Sequence, residues 1–465
     1  MKIQETGVQF RTSDAGLQLI ADRAERKLRD NLRSFGGRKV LVEGGGYQKI
    51  WLETQPMGGE MYAKRDMEAA LNNQLLFMEY QRPDGRLPGS IMQDPGGLIA
   101  QFNKFQGFCF PAPALNMYYW LGEDRAYLLK LRDALAGFDR YLWQVRDSNG
   151  DGILESWCVT DTGEDGALRY GDAPFWWEEE SPPRGFDTVP IASMDFMGYS
   201  YAARETLAAI SAILGDPGEE AWRAKALALR RVIRERLWDE ERGACFDRDN
   251  KGRVMDVLLH NTLRLMHWNA LDPDMARRFI KEHLLNPEEF FTPFPLPSVA
   301  VNDPLFRNLR GNNWSGQPEG LTWQRSIRAF ENYGFLSLIP LFGEKLFHHL
   351  KREKVFVQQY DPFTGEASGD ADGYGPTMLA LLEYISRMHG VHLQGRELWW
   401  GASGGRQTVY ELRWGARRFR LACDGQRAEA LVDGQPCFTF EAGTRVVTDH
   451  QGNIIRKISM SEEPV

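Results

Sequence analysis

The chain has 465 residues, 43% of them hydrophobic and 26% charged, enough for a sizeable core and about the length of one large domain with a smaller second one. A net charge of −8, with no Lys or Arg block to override it, argues against a nucleic-acid or anionic-membrane surface. Scattered cysteines without a CxxC spacing, no charged n-region before an apolar run in MKIQETGVQF, and no apolar stretch of roughly 18 residues point to a soluble cytoplasmic protein with reduced thiols.

From about residue 14 to 390 the pattern is helical, with apolar residues at three- and four-residue spacing. In chain order the segments include GLQLIADRAERKLRDNLRSF, DMEAALNNQLLFMEYQ, AYLLKLRDALAGFDRYLWQV, SYAARETLAAISAIL and EEAWRAKALALRRVIRERLW. VMDVLLHNTLRLMHW, DMARRFIKEHLL, GLTWQRSIRAFENYGFLSLI and GPTMLALLEYISRMHG follow. GD, DP, NP and GG pairs punctuate them, and they read as helix pairs joined by alternating short and long connections. No fixed-length repeat is present, which favours an (α/α)6 barrel over its competitor, a superhelical repeat protein. After residue 392 short alternating segments between DG, AG and QG turns predict a small antiparallel β-sandwich. The expected organisation is an (α/α)6-barrel catalytic domain over 1–391 and a β domain over 392–465.

Four loop clusters between helices could carry chemistry. YQKIWLETQPMGGEMY combines Trp51 and Glu53 with two glycines ahead of a helix, and a plain structural connection fits it equally. RDSNGDGILESWCVTDTGEDGALRYGD is crowded with acids and amides. Its DSNGDG opening places Asp147, Asn149 and Asp151 at alternating positions, like the first half of a calcium loop. Cys158 stands where an EF-hand needs a bidentate Glu, so the choice lies between an Asx-rich turn and a looser structural calcium site. RGNNWSGQPEGLTWQR delivers Trp314, Gln317 and Glu319 to a helix start, where Glu319 also suits the helix N-terminus by charge alone. FVQQYDPFTGE, with the ASGDADGYGP that follows it, is the fourth. The 14 Trp, 15 Tyr and 26 Phe are mostly core, but Trp51, Trp176, Trp177, Trp314, Tyr360 and Tyr374 sit beside Gly, Pro and acids, where flat rings suit sugar faces. His260 and His267 lie seven apart without a third ligand and read as core or surface histidines. GxSxG, P-loop and GxGxxG patterns are missing, which leaves serine-hydrolase and nucleotide-binding readings without support.

The order of these motifs resembles the inverting α-glycosidases of glycoside hydrolase families 63 and 37, which include α-glucosidases, mannosylglycerate and glucosylglycerate hydrolases and trehalases. WLE, with Trp51 and Glu53, looks like the family's tryptophan–acid pair at the −1 subsite, and QRPDGRLPG is similar to its Q…G…P stretch. DTGEDGALRY has the spacing of the family's E-S-G-W-D-N-S-P-R-W element, which implies Asp165 as general acid and Arg169 as its arginine. SMDFMGY, with Asp195, looks like the V-D-L-N-A helix start. NNWSGQP resembles a Y-W-R-G-P turn around Trp314 and Gly316, with Ser315 in place of the arginine. QQYDPFTGE is similar to E-x-Y-[DN]-P-x-T-G-E, so the position of the general base holds an amide, Gln358.

An inverting hydrolase needs two carboxyls roughly 6.5–9.5 Å apart, one to protonate the leaving oxygen and one to deprotonate water. The acid must stay protonated near neutral pH, which an apolar or acid-crowded pocket achieves. A glutamine cannot take the water's proton, though it can hold the water. Three readings of Gln358 stay open: an isosteric replacement that traps a substrate, a base elsewhere (Glu366, Glu319 or Asp361), or a non-catalytic sugar binder. Asp187, in RGFD, is the fallback acid. The resemblance thus implies hydrolysis of a small α-glycoside, an α-glucoside first, in a pocket closed by Trp51, Glu53, Gln106, Arg169, Trp314, Gln317, Glu319, Tyr360 and Glu366. No cofactor is called for and the partner is a sugar. An α-L-rhamnosidase-like hydrolase keeps the architecture and changes the sugar.

Overall fold

The computed structural model describes residues 3–311, 313–369 and 371–460. Asn312 of the RGNNWSG turn, Asp370 of the ASGDADG stretch and the ends of the chain lie outside the described residues. Twelve α-helices are present among them: α1 (Ala15–Asp30), α2 (Gln55–Tyr62), α3 (Met67–Glu79), α4 (Pro111–Trp120), α5 (Arg125–Val145), α6 (Met194–Leu214), α7 (Glu219–Val232), α8 (Asn261–His267), α9 (Pro273–Phe279), α10 (Gly320–Asn332), α11 (Leu338–Glu353) and α12 (Gly375–His389).

Two kinds of helix alternate along the chain. The odd-numbered α1, α5 and α7 bury one stripe; in α1 it is Leu17, Ile20, Ala21, Ala24 and Leu28, and the Asp14 carboxylate caps the helix by accepting from the Leu17 N–H at 2.9 Å. The even-numbered helices are buried far more completely than these three, with α2, α8 and α12 buried at every residue, and odd-numbered α3 matches them with ten of its 13 residues buried. Each even helix packs on the next, α2 on α4, α4 on α6, α6 on α8, α8 on α10 and α10 on α12, and α12 closes on α2. The odd helices back them: α3 on α2, α5 on α4, α7 on α6, α9 on α8, α11 on α10 and α1 on α12. That closed double ring is the (α/α)6 barrel.

Several expected boundaries move, each for a local reason. The first predicted helix extends to Phe35, but the observed one stops at Asn31; Leu32–Phe35 and Arg38–Leu41 instead form a hairpin about Gly36 and Gly37, both at positive φ. The segment GLTWQRSIRAFENYGFLSLI is broken after Asn332, where Gly334 adopts φ +75°, and α11 begins at Leu338. VMDVLLH is irregular rather than helical, so α8 starts only after His260.

The β region forms two antiparallel sheets. One runs Val391–Gln394, Glu397–Ala402, Thr444–Thr448, Ile454–Ser459. The other runs Thr6–Thr12, Thr408–Trp414, Arg417–Cys423, Arg427–Val432, Gln435–Glu441, so its edge strand comes from the opposite end of the chain, with Phe10 opposite Tyr410. No helix among the described residues is long and apolar enough to cross a membrane.

Candidate active site

Every inner helix is preceded by a loop that carries a polar or acidic side chain: Glu53 before α2, Gln106 before α4, Asp165 before α6, His260 before α8, Glu319 before α10, and Gln358 and Tyr374 before α12. These loops meet at one mouth of the ring, the end to which the inner helices turn their N-termini and hence the positive ends of their dipoles. Gln106 Nε2 donates to Asp165 Oδ1 at 3.3 Å. Tyr374 Oη donates to Glu43 Oε1 at 3.0 Å, and Tyr47 Oη donates to Gln358 Oε1 at 2.8 Å. Tyr47 also sets its ring edge-on to Trp51 and to Tyr374, at 6.5 and 6.2 Å between centroids.

Glycines let these groups approach. Gly163, at φ +74°, lies so close to Glu53 that an added Cβ would stand 2.0 Å from Oε2. Gly44, at φ +76° in the GGG run, passes the Gly373 carbonyl so closely that a Cβ would come within 2.3 Å of that oxygen, and the run brings Tyr47 back over Tyr374.

Carboxyls dominate the mouth. Burial, then the charge of Glu53, pushes Glu43 up to about 8. Burial also pushes Glu53 up to about 8, although Arg325 Nη2 stands 3.2 Å from its Oε2 and pulls the other way. Glu319 is 0% exposed, and neither of its carboxylate oxygens has a protein hydrogen-bond partner. Burial and the charges of Glu53, Asp165, Glu164 and Glu43 hold it well above the usual carboxylate range. The charge of Asp165 is felt by Glu43, Glu53, Glu319 and Tyr47 alike, so half-buried Asp165 sits at the focus of the group.

Glu43 carries a stability signature. Between its ordinary value of 4.5 and about 8 the folded protein keeps a proton that the unfolded chain has shed. Its contribution to stability therefore falls as pH rises through that window and is level above it. Glu43→Gln keeps an acceptor for Tyr374 and Thr54 and removes the titration. The variant should melt with the parent at pH 4 and above it at pH 9; equal melting temperatures at both pH values would refute this.

Beneath the mouth lies a buried ion cluster. Arg169 is engaged by Glu164 and Asp247 and stands 3.7 Å from Asp195, while Arg264 reaches Glu164 at 2.9 Å and Asp195 at 3.2 Å. Burial opposes the charge on Glu164, but Arg169 and Arg264 outweigh it and hold Glu164 well below the usual range. Burial drives His260 down to about 4, so a neutral ring donates from Nε2 to Glu164 at 3.1 Å and accepts at Nδ1 from Thr322 Oγ1 at 3.2 Å. Ser315 Oγ accepts from the Leu168 N–H at 2.7 Å, and the Trp314 N–H donates to the Asp165 carbonyl at 3.3 Å. The loop before α10 thereby clamps the Asp165 turn.

The structure brings together Trp51, Glu53, Gln106, Asp165, Glu319 and Gln358, with Trp314 5.7 Å from the His260 ring. Arg169 is committed to the ion cluster below them. Gln317 is one step removed, donating to Asn308 Oδ1 at 2.7 Å and accepting from Gln359 Nε2 at 3.2 Å. Tyr360 lies outside the group: it is fully buried, stacked on Phe294 at 4.7 Å, with its hydroxyl donating to the Val355 carbonyl. Two of the alternative bases are also elsewhere. Asp361 Oδ1 accepts from the Phe363 and Thr364 N–H groups within its own turn, and Glu366 is exposed on that turn. Asp187, the fallback acid, is 86% exposed and paired with Lys251 at the surface. The DSNGDG oxygens serve their own backbone: Asn149 accepts from Asp151 N–H, Asp147 from Gly152 N–H and Asp151 from Ile153 N–H. Among the described residues no group of three or more His, Cys, Asp or Glu is arranged to hold a metal ion.

Sequence reasoning missed Glu43, Tyr47, Arg264 and Arg325, and read His260 as bland. A Glu ahead of GGGY was a usable signal for the first two. Arg264 and Arg325 lie inside helices, where nothing local marks them.

A double ring of helices whose mouth gathers sugar-sized aromatics and crowded carboxyls is the architecture of an (α/α)6 glycoside hydrolase. The model of the mannosylglycerate hydrolase MGH1-like glycoside hydrolase domain matches residues 56–377, and the chain belongs to that family of glycoside hydrolases. Among solved structures, the GH63 mannosylglycerate hydrolase from Thermus thermophilus in complex with glucose superposes with a TM-score of 0.65 at 19% identity, covering 79% of this chain and 100% of that one. A sialidase superposes with a TM-score of 0.72 at 14% identity, over 95% of this chain and 41% of that one. The neutral trehalase Nth1 from Saccharomyces cerevisiae gives 0.56 at 12% identity, over 78% and 79% of the two chains. At such identities the likeness is one of fold. No curated protein matches the chain.

Proposed function

We propose that the protein hydrolyses a small α-glycoside, an α-glucoside or close relative, with inversion at the anomeric carbon. Asp165 protonates the leaving oxygen while a water on the opposite ring face, beside Gln358, attacks. The observation that carries this reading is the gathering of carboxyls at one mouth, where buried Glu43, Glu53 and Glu319 stand with half-buried Asp165, whose Oδ1 accepts from Gln106 Nε2 at 3.3 Å. Proton transfer between carboxyls and water calls for no cofactor. An acidic aglycone such as glycerate is supported by two ammonium groups at the rim: Lys49 and Lys104 bring Nζ to 5.2 and 5.0 Å from the Trp51 ring centroid. Free cysteines, four of them buried, support a cytoplasmic setting.

The test is a panel of α-linked disaccharides with α-glucosylglycerate and α-mannosylglycerate, offered to the protein and to Gln358→Glu, with the first-formed anomer read by NMR. A β-configured product is expected, and an α-configured first product overturns inversion. Calorimetric binding of these sugars without turnover by either protein would favour the non-catalytic sugar binder, for which Gln358 is the supporting feature.

A further inference from the structure

The chain around position 358 is not alone at the mouth. Residues 318–320 run antiparallel against it: Glu319 bridges Gln359, the Gly320 N–H donates to the Gln358 carbonyl at 2.8 Å, and the Tyr360 N–H donates to the Pro318 carbonyl at 3.2 Å. The bridge to Gln359 sets the Glu319 side chain on that residue's face of the pair, and its charge reaches Tyr47, the partner of Gln358. The Gln358 amide oxygen already accepts from Tyr47 Oη, and an amide has no basic site for a water proton.

Glu319 has the opposite character. It is fully buried, yet both of its oxygens lack protein partners, a state that leaves the desolvation of a buried acceptor uncompensated. It occupies the position that caps α10 but makes no capping hydrogen bond, so it is not held there for the helix. Its field neighbours come from four loops of the mouth: Glu53, Asp165 and Glu164, Glu43 with Tyr47, and Tyr374. A buried, unpartnered carboxyl aimed among substrate-binding groups is built to meet a ligand's hydrogen.

We propose that Glu319 is the general base of this enzyme, the function having moved from position 358 to the antiparallel segment beside it. Water oxygen bonds to the anomeric carbon as the bond to the leaving oxygen breaks. The water's proton passes to the Glu319 carboxylate, and the proton of Asp165 passes to the leaving oxygen. Release of the Glu319 proton and reprotonation of Asp165 through solvent complete the cycle. The raised proton affinity of Glu319 is in keeping with a strong base, and it requires that kcat/KM climb toward alkaline pH as Glu319 ionises among the neighbours named above.

The assignment rests on the hydrolase reading, and the test separates the two. Substrates are α-D-glucosyl and α-D-mannosyl fluoride, whose leaving group needs no proton, so only the base step is probed. Glu319→Gln, which keeps the shape of a buried side chain and should fold, is expected to lose about 10²–10⁴-fold in kcat with little change in KM. Azide should restore turnover to Glu319→Ala and yield the β-glycosyl azide. Adding Gln358→Glu to Glu319→Gln should return activity by rebuilding a base one segment away. A Glu319→Gln enzyme that keeps its kcat, or loses only in KM, overturns the assignment, since a sugar-binding carboxyl would behave that way. So does a parent that is inert while Gln358→Glu alone is active, and in that case the hydrolase reading survives. If neither fluoride is cleaved by the parent or by Gln358→Glu, both readings fall together.

Discussion

Replacing Asp165 with Asn should lower kcat on an α-glycoside with an alkoxide leaving group by about 10²–10⁴-fold while sparing the corresponding glycosyl fluoride. The split follows from what the side chain is asked to do. An alkoxide must be protonated as it departs, whereas fluoride departs unaided, so removing the acid blocks one substrate and not the other. The fold should tolerate the change. Asp165 is half-buried, Asn keeps an oxygen to accept from Gln106 Nε2, and the turn is held through backbone by Trp314 and by Ser315 at Leu168. A loss shared equally by both substrates would mean that the turn had collapsed, and would remove Asp165 from the acid's role. Asp187→Asn is the internal control: an exposed carboxylate paired with Lys251 should be silent on both substrates.

The parts of this site differ in how far the chain announces them. Trp51, Glu53, Asp165, Trp314 and Glu319 stand in loops where Gly and Pro interrupt helical periodicity, so an acid or a ring there has no stripe to explain it. Outer helices with one wet face were equally readable, because such a helix carries its period in its sequence; α1, α5 and α7 show this, whereas no segment was read over α11. Of the inner ones, α6, α8, α10 and α12 were also read as helices, while α2 and α4 were not. In α2, QPMGGEMY is buried on every side, and in α4 PAPALNMYYW begins with two prolines and lacks a polar face, so neither segment alternates. Tyr360 went the other way: its sequence neighbours are Asp361 and Pro362, yet its ring is committed to Phe294 by a packing partner 66 residues earlier in the chain, which no local pattern encodes. Glu43 and the arginines of the ion cluster share that difficulty. Their meaning lies in which loops the closed ring brings together, and ring closure is a long-range property.

Loss of Arg264 should be the most damaging single change away from the mouth itself. Its guanidinium reaches Glu164 at 2.9 Å, Asp195 at 3.2 Å and the Thr162 carbonyl at 2.6 Å, all of them buried. Arg169 is already divided between Glu164, Asp247 and Asp195, so it cannot cover for the missing charge. The desolvation cost of such a network is met only while each anion keeps a cation beside it, and removing one cation strands an anion in a low-dielectric site. Arg264→Met, which preserves much of the stem volume, should therefore destabilise the protein by about 3–5 kcal/mol, read as a shift in the urea midpoint. Arg264→Lys should recover little, because a single ammonium cannot span two carboxylates and a carbonyl as the planar fork does. Adding Glu164→Gln to Arg264→Met should restore part of the loss by neutralising the stranded anion. Two independent single-variant costs that simply add would show that the residues do not act as one network. The same double variant reports on function, since Glu164 is the chain neighbour of Asp165. If stability returns and turnover does not, the cluster serves to fix the acid's turn as well as to hold the floor of the barrel.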